Sequence, residues 1–228
     1  MAVRIIKPDA GNVLELQDAG GTPRIELNDG GTTLLKDEGG TTAISIAAAG
    51  DVSVTEDIII GDGKYIGSSS APTALQIDSV GRISKILQPA FSTSLGSDQT
   101  SPADGATINF DTEAFDIGAN FNTSTKTFTA PIGGKYLFNV RCRLSAVDNN
   151  STFIYINLVT TGGTYASIFT LSGADGGDFA HWHVNLPVIC NMATSNTAYV
   201  KYNFSGGNTV GSFVSGVFGS EFSGYLLG

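Results

Sequence analysis

Lys135-Tyr136-Leu137-Phe138-Asn139-Val140-Arg141-Cys142-Arg143-Leu144 puts Tyr136, Phe138, Val140, Cys142 and Leu144 on one side of an extended chain. Asn139, Arg141 and Arg143 fall on the other. Side chains of a strand alternate between faces, so this spacing predicts a long strand with one face in a core and one outside it. Shorter runs around it read the same way: Gly105 to Phe110, Thr125 to Pro131, Thr197 to Phe204 and Glu221 to Leu227. Phe153 to Val159 is apolar on both faces, which predicts a strand covered by the core on one side and by a subunit on the other. Many short strands separated by polar turns predict an all-β sandwich or jelly roll.

Moving toward the N-terminus, the texture changes near residue 90. Gly-Gly steps at 20–21, 30–31 and 39–40 separate strand-sized segments: Val13 to Leu16, Arg24 to Leu27, Thr33 to Leu35, then Ala43 to Ile46 and Val52 to Val54. Apolar and polar residues alternate within each, and Gly allows the positive φ of the turns. Each strand offers only two or three apolar side chains, and Tyr65 is the lone aromatic before residue 90. One copy buries too little surface to offset its backbone entropy. Three readings stay open: a trimeric β shaft whose chains share an apolar axis, a single-chain solenoid-like piece, and a partly ordered linker. Gly61-Asp62-Gly63 reads as a tight turn, since it has neither calcium-loop nor phosphate-loop spacing. Thr73 to Asp78 reads as one more strand, and residues 80–87 as a helical or extended neck. The division expected is 1–67 shaft and attachment segment, 68–87 neck, and 88–228 head.

Composition narrows the function classes. The 228 residues carry 29 glycines and only 14% charged residues, with no G-X-Y period, so collagen is excluded. The net charge of -9 has no basic patch within it, which argues against nucleic acid and against an anionic membrane surface. No apolar run is long enough for a signal peptide core or a membrane span, so the expectation is synthesis in a cytoplasm without membrane insertion. Cys142 and Cys190 read as buried thiols, a bridge between them being possible if their strands are neighbours.

The candidates for chemistry are few. His181 and His183 share one face of a strand, with Trp182 opposite; with Asp178 or symmetry mates they form a weak zinc or nickel candidate. Asp175 and Asp178 lie in a Gly-rich stretch that suits a solvated loop or a calcium contribution better than the acid–base pair of a glycan hydrolase. No G-x-S-x-G occurs. No cofactor is expected beyond a possible calcium or zinc ion. Binding carries the functional expectation, through loops 145–151, 160–164, 172–180 and 205–212, with Tyr165, Phe179, Trp182 and Phe213 as aromatic anchors beside the polar Asp175, Asp178, His181 and His183.

One resemblance is specific. Pro89-Ala90-Phe91-Ser92, then Ile108-Asn109-Phe110, then Phe128-Thr129-Ala130-Pro131-Ile132-Gly133-Gly134-Lys135-Tyr136-Leu137-Phe138, and last Phe222-Ser223-Gly224-Tyr225-Leu226-Leu227 follow in order. Residues 88–228 thereby resemble the C1q/TNF-like globular domain. The resemblance implies a ten-stranded jelly roll that assembles as a homotrimer, recognises ligands and has no catalytic motif residue. It assigns packing to Phe91, Phe110, Phe128, Pro131, Tyr136, Phe138, Phe222, Tyr225 and Leu227. Leu186 to Met192 stands where the family's acidic turn is expected, which weakens transfer of a particular ligand or calcium site. The Gly-punctuated N-terminal repeats resemble those of bacteriophage tail or head fibres. Together these imply a virion fibre with a receptor-binding trimeric tip, its N-terminus on other virion proteins and its head on a host-surface glycan or envelope protein. A structural virion decoration and a glycan-hydrolase tip are the alternatives.

Overall fold

The computed structural model describes residues 13–17, 19–28, 33–37, 41–46, 52–55, 57–60, 64–67, 70, 74–171, 177–207 and 210–227. The chain divides into two compact units, one of residues 1–65 with 77–82, the other of residues 66–76 with 83–228. All regular structure among the described residues is β. No helix among them is long and apolar enough to cross a membrane.

The first unit contains an antiparallel meander of β1 (Val13–Gln17), β2 (Pro23–Asn28), β3 (Thr33–Lys36), β4 (Thr42–Ile46) and β5 (Val52–Val54), in that spatial order. The strands sit where alternation predicts them. Their register lines up Leu16, Ile25, Leu35, Ile44 and Val54 in a row across all five strands. Leu27, Thr33, Ile46 and Val52 form a second row on that face. The opposite face carries Glu26, Leu34, Ser45 and Ser53, and Lys36 pairs with Glu26. Leu16, Leu27, Leu35, Ile46 and Val52 all remain exposed in the single chain. That side is thus mainly apolar and left partly open, with Ile25, Ile44 and Val54 half-buried. The expected turn at Gly61-Asp62-Gly63 lies outside the described residues.

A small sheet follows, ordered β6 (Tyr65–Ile66), β7 (Leu75–Ile77) and β8 (Ile83–Ser84). β7 is the strand expected at Thr73 to Asp78. The segment expected as a neck is extended at β8 and turns at Ile86-Leu87, so the helical alternative is overturned.

The head is a two-sheet sandwich. One sheet runs β10 (Gln99–Thr100), β19 (Ser212–Phe213), β14 (Gly134–Val147), β20 (Glu221–Leu226), β9 (Ala90–Ser94), β11 (Thr112–Ile117), with β17 (Phe179–Met192) on the other side of β14. The second runs β12 (Phe121–Asn122), β13 (Thr127–Thr129), β18 (Thr197–Ser205), β15 (Phe153–Thr160), β16 (Gly163–Thr170). Gly105 to Phe110, expected as a strand, makes only one bridge, Thr107 to Lys201. Its Ile108 and Phe110 are nonetheless buried, because the segment lies along β18 through the Ile108 N–H to Val200 carbonyl bond.

The core is aromatic. Phe91 stacks on Phe121 and Phe128 at 5.0 and 4.9 Å and meets Phe222 edge-on at 5.0 Å, while Phe138 lies 5.6 Å from Phe128 and 5.8 Å from Phe222. Tyr136 completes this group and donates its hydroxyl to the Ile132 carbonyl at 2.8 Å, as a buried phenol requires. The inward residues of β14 are those that alternation assigns: Tyr136, Phe138, Val140, Cys142 and Leu144 are fully buried. Cys142 and Cys190 are free. Their strands are neighbours, yet Cys142 faces Val184 and Cys190 faces Tyr136 in the ladder. Six residues of strand place them roughly 20 Å apart, far beyond disulfide reach.

Candidate functional site

The outward face of the β14 sheet is graded from one end to the other. The ladder sets Ile189, Leu137, Tyr225, Ala90 and Ile117 in one row across five strands. The next row is Pro187, Asn139, Ser223, Ser92 and Phe115, and the one after it Asn185, Arg141, Glu221, Ser94 and Thr112. Beyond these lie Arg143 opposite His183, then Ser145 opposite His181. One end is apolar and exposed: Phe115 is 50%, Ile189 62% and Tyr225 44% accessible. The other end holds two of the head's five cations and both histidines of the chain.

That polar end is ordered by hydrogen bonds. Arg141 Nη2 donates to Glu221 Oε2 at 2.9 Å, and Glu221 Oε1 accepts from Ser92 Oγ at 2.9 Å. Arg143 Nη2 donates to His181 Nε2 at 3.2 Å, which occupies the imidazole lone pair that a metal would need. Arg143 also lends its charge to Asp98, whose carboxyl is held below the usual carboxylate range chiefly by the Ser215 N–H at 2.7 Å and hydroxyl at 2.8 Å. Among the described residues, the Nε atoms of Arg141 and Arg143 are closed off from solvent without a partner.

The residues singled out in the sequence separate. His181 and His183 share the exposed face, as expected, and Trp182 points the other way. Trp182 stacks on Phe169 at 5.4 Å and meets Phe179 at 5.3 Å, so Trp182 and Phe179 pack partly buried against the core rather than standing as free anchors. Phe213 is overturned as an anchor: it is 0% exposed and sits edge-on to Tyr202 at 5.1 Å. Tyr165 is 37% exposed on β16. Asp178 is exposed and accepts the Asn149 N–H at 3.2 Å, and Asp175 lies outside the described residues. Among the described residues no group of three or more His, Cys, Asp or Glu side chains is placed to hold a metal ion. Of the expected packing set, Phe91, Phe110, Phe128, Tyr136, Phe138 and Phe222 are buried. Pro131, Tyr225 and Leu227 are exposed in the single chain, Tyr225 within the apolar row just described.

A family model, the C1q domain, matches residues 90–227. The chain belongs to the C1q domain family. C1q domains are recognition modules and not enzymes, so the chain is read as a non-enzyme and the glycan-hydrolase alternative is set aside. Among solved structures, the globular domain of zebrafish complement 1qA protein is 18% identical, with 62% of this chain and 98% of that one covered and a TM-score of 0.45. Murine APRIL at pH 5.0 is 10% identical, covering 61% and 99%, with a TM-score of 0.45. Eiger TNF from S. frugiperda is 10% identical, covering 62% and 92%, with a TM-score of 0.47. No curated protein matches the chain.

Within this C1q domain, Leu186 to Met192 is strand, the C-terminal half of β17, and Ile189 there supplies part of the apolar row. Sequence reading missed this row and a second constellation around Asn157 and Asn203 on the other sheet. Neither is a contiguous motif, since the first gathers residues from five strands and the second from β15, β18 and the turn at Asp104. Only the register brings them together.

Proposed function

We propose that the chain is a homotrimeric, non-enzymatic bacteriophage fibre protein whose C1q head binds a receptor, a glycan or an envelope protein, on the host surface. The observation that carries the trimer is the row Ile189, Leu137, Tyr225, Ala90 and Ile117 with Phe115 beside it, an apolar band that one chain leaves open. Exposed apolar area of this kind marks an interface. A second copy around a threefold axis is the occupant consistent with C1q membership. The first unit repeats the pattern: Leu16, Leu27, Leu35, Ile46 and Val52 of its two apolar rows are exposed, and identical chains would cover them. Short Gly-punctuated strands ahead of a recognition head support the fibre reading. In it the N-terminus engages other virion proteins, and the protein resides on the virion after synthesis in the host cytoplasm. Three identical sites on one tip would gain by avidity.

Light scattering on the full chain, followed by binding of labelled protein to intact bacteria, tests this reading. The expected mass is three times the 23.6 kDa of one chain, with binding selective for the host strain. A monomer would overturn the shared-axis assembly. A trimer that docks on virions and ignores cells would replace receptor binding with structural decoration.

A further inference from the structure

The outward face of the second sheet carries a constellation that uses none of the residues discussed so far as anchors. On β15, Ile154, Ile156 and Leu158 point inward and are fully buried, and Phe153, Tyr155 and Asn157 alternate with them on the outside. Phe153 and Tyr155 meet edge to face at 4.8 Å. On the neighbouring β18, Asn203 lies opposite Tyr155, and Lys201 opposite Asn157. Asn157 Nδ2 donates to Asn203 Oδ1 at 3.0 Å, and Asn203 Nδ2 donates to Asp104 Oδ1 at 2.9 Å. The same Asp104 oxygen accepts the Phe204 N–H at 3.0 Å. Two amides and a carboxylate thus form a fixed line beside an aromatic pair. They border an open depression of about 360 Å3.

Each part of this arrangement constrains an occupant. Side chains already held by one another lose little rotamer freedom on binding. An amide presents both a donor and an acceptor, and a carboxylate presents up to four lone-pair positions. Adjacent hydroxyl groups on a ring are complementary to such a line. The aromatic pair offers an apolar floor, which suits the C–H face of a pyranose and not a strongly hydrated ion. Asp104 is the one charged side chain lining the depression, which disfavours an anion, and Lys201, opposite Asn157 on β18, offsets part of its charge. The Phe204 and Asn203 bonds also hold the Asp104 carboxyl below the usual range, keeping it an acceptor in mild acid. The volume suits one small ligand and is too small to seat a folded partner.

The geometry points to a neutral pyranose unit of a surface glycan as the ligand of this depression, seated on Phe153 and Tyr155 and hydrogen-bonded to Asp104, Asn157 and Asn203. This assignment rests on the recognition reading above and names its ligand class. It also departs from the sequence expectation that a subunit covers this side of β15.

The test is ligand-observed saturation-transfer NMR and calorimetry on the full chain. The probes are glucose, galactose, N-acetylglucosamine and their short oligomers, with sialic acid as the charged comparison. Binding of a neutral sugar is expected, weakened roughly tenfold or more by Tyr155→Ala and by Asn203→Ala, with assembled mass and unfolding midpoint retained. Asn157→Asp, nearly isosteric and solvent-facing, sets a carboxylate against Asn203 Oδ1 and gives the same loss without removing bulk. The proposal is overturned by no binding across the neutral panel, by preference for sialic acid, by affinity indifferent to all three substitutions, or by loss of trimer mass in Tyr155→Ala. Cell binding that survives Tyr155→Ala overturns this site and leaves the recognition reading standing. A monomeric wild-type protein overturns the trimeric reading and leaves the sugar titrations to judge this one.

Discussion

Gly224 is the residue at which the aromatic core comes closest to the backbone, and Gly224→Ala tests how tightly that core is set. In β20, Gly224 lies between Phe138 on β14 and Phe91 on β9, its partners in register on either side. A methyl group placed there would meet Phe138 Cδ1 at 2.6 Å, Phe138 Cε1 at 2.9 Å and Phe91 Cε1 at 2.9 Å. Carbon atoms rest about 3.5–4.0 Å apart, so both rings must retreat by roughly 0.6–1.4 Å. They have little room, because Phe91 and Phe138 each already contact Phe128 and Phe222 within 6 Å between ring centres. Overpacking of this kind costs about 1–3 kcal/mol. For a domain of this size that is a fall in Tm of roughly 2–12 °C. The assay is thermal unfolding followed by circular dichroism at fixed protein concentration, with urea unfolding alongside. Phe138→Ala supplies the control: it removes the δ and ε carbons nearest the new methyl, so the double variant should lose less than the two single losses combined. A Gly224→Ala protein with an unchanged Tm, or a strictly additive double variant, would refute the close-approach reasoning.

Phe115→Asp puts a charge in the apolar band at a position already half open in the single chain, so light scattering should find dissociated, folded protein; an intact trimer would place the interface elsewhere. Cys142 and Cys190 should both be alkylated after denaturation without reductant. In the native protein Cys142 should resist the reagent, since burial pushes its thiol far above the ordinary range. A cross-linked peptide joining the two would contradict the ladder register. Asp98 and Asp104 have folded-state pKa values lowered by hydrogen bonds from Ser215 and from Phe204 and Asn203. Their contribution to stability is therefore present above the ordinary carboxylate range and lost as pH falls through the folded values. The unfolding midpoint should drop below about pH 4, and less steeply in Asp104→Asn; an equal pH slope in that variant would remove Asp104 from the account.

What the sequence made legible follows from which strands have one face in the core. β14 was readable because Tyr136, Phe138, Val140, Cys142 and Leu144 are buried while their neighbours are polar or half-open. The reading stopped three residues short at its C-terminal end, where Val147 continues the strand. β11 and β16 carry mostly exposed side chains, so neither has a period-two signal to detect. β17 contains Pro187, which argues against a strand unless it lies at an edge, and among the described residues β17 pairs with β14 alone. Phe213 illustrates the opposite error. A lone aromatic in a Gly- and Ser-rich stretch looked like a surface anchor, yet β19 is two residues long and exists to seat that ring against Tyr202. The candidate site was half legible for the same reason: the shared face of His181 and His183 is a local property of one strand. The Arg143 contact and the apolar band belong to a register that joins residues up to about 130 positions apart.

The two outward faces of the head differ in a way that assigns them different work. On the β14 sheet, polarity changes along the strands, from Ile189, Leu137 and Tyr225 to Arg143 and His181, over a distance of several residues. A graded face of that extent matches a protein surface, which buries apolar residues at its centre and leaves charged groups at a rim. Its Arg141–Glu221 pair is half exposed in one chain and worth little there; once covered, loss of either partner would strand a charge. The pair therefore favours one way of stacking copies over others that would leave it unmatched. On the second sheet the polar groups are not at a rim. Asp104, Asn203 and Asn157 stand in line immediately beside Phe153 and Tyr155, already satisfied by one another on one side. Coverage by a flat protein surface would desolvate their remaining lone pairs and N–H groups without pairing them, at a cost for each group left unmade. A small polyhydroxylated ring can pair them individually. In the proposed trimer the graded face is the expected interface, which would leave the aromatic and amide face turned outward in each copy.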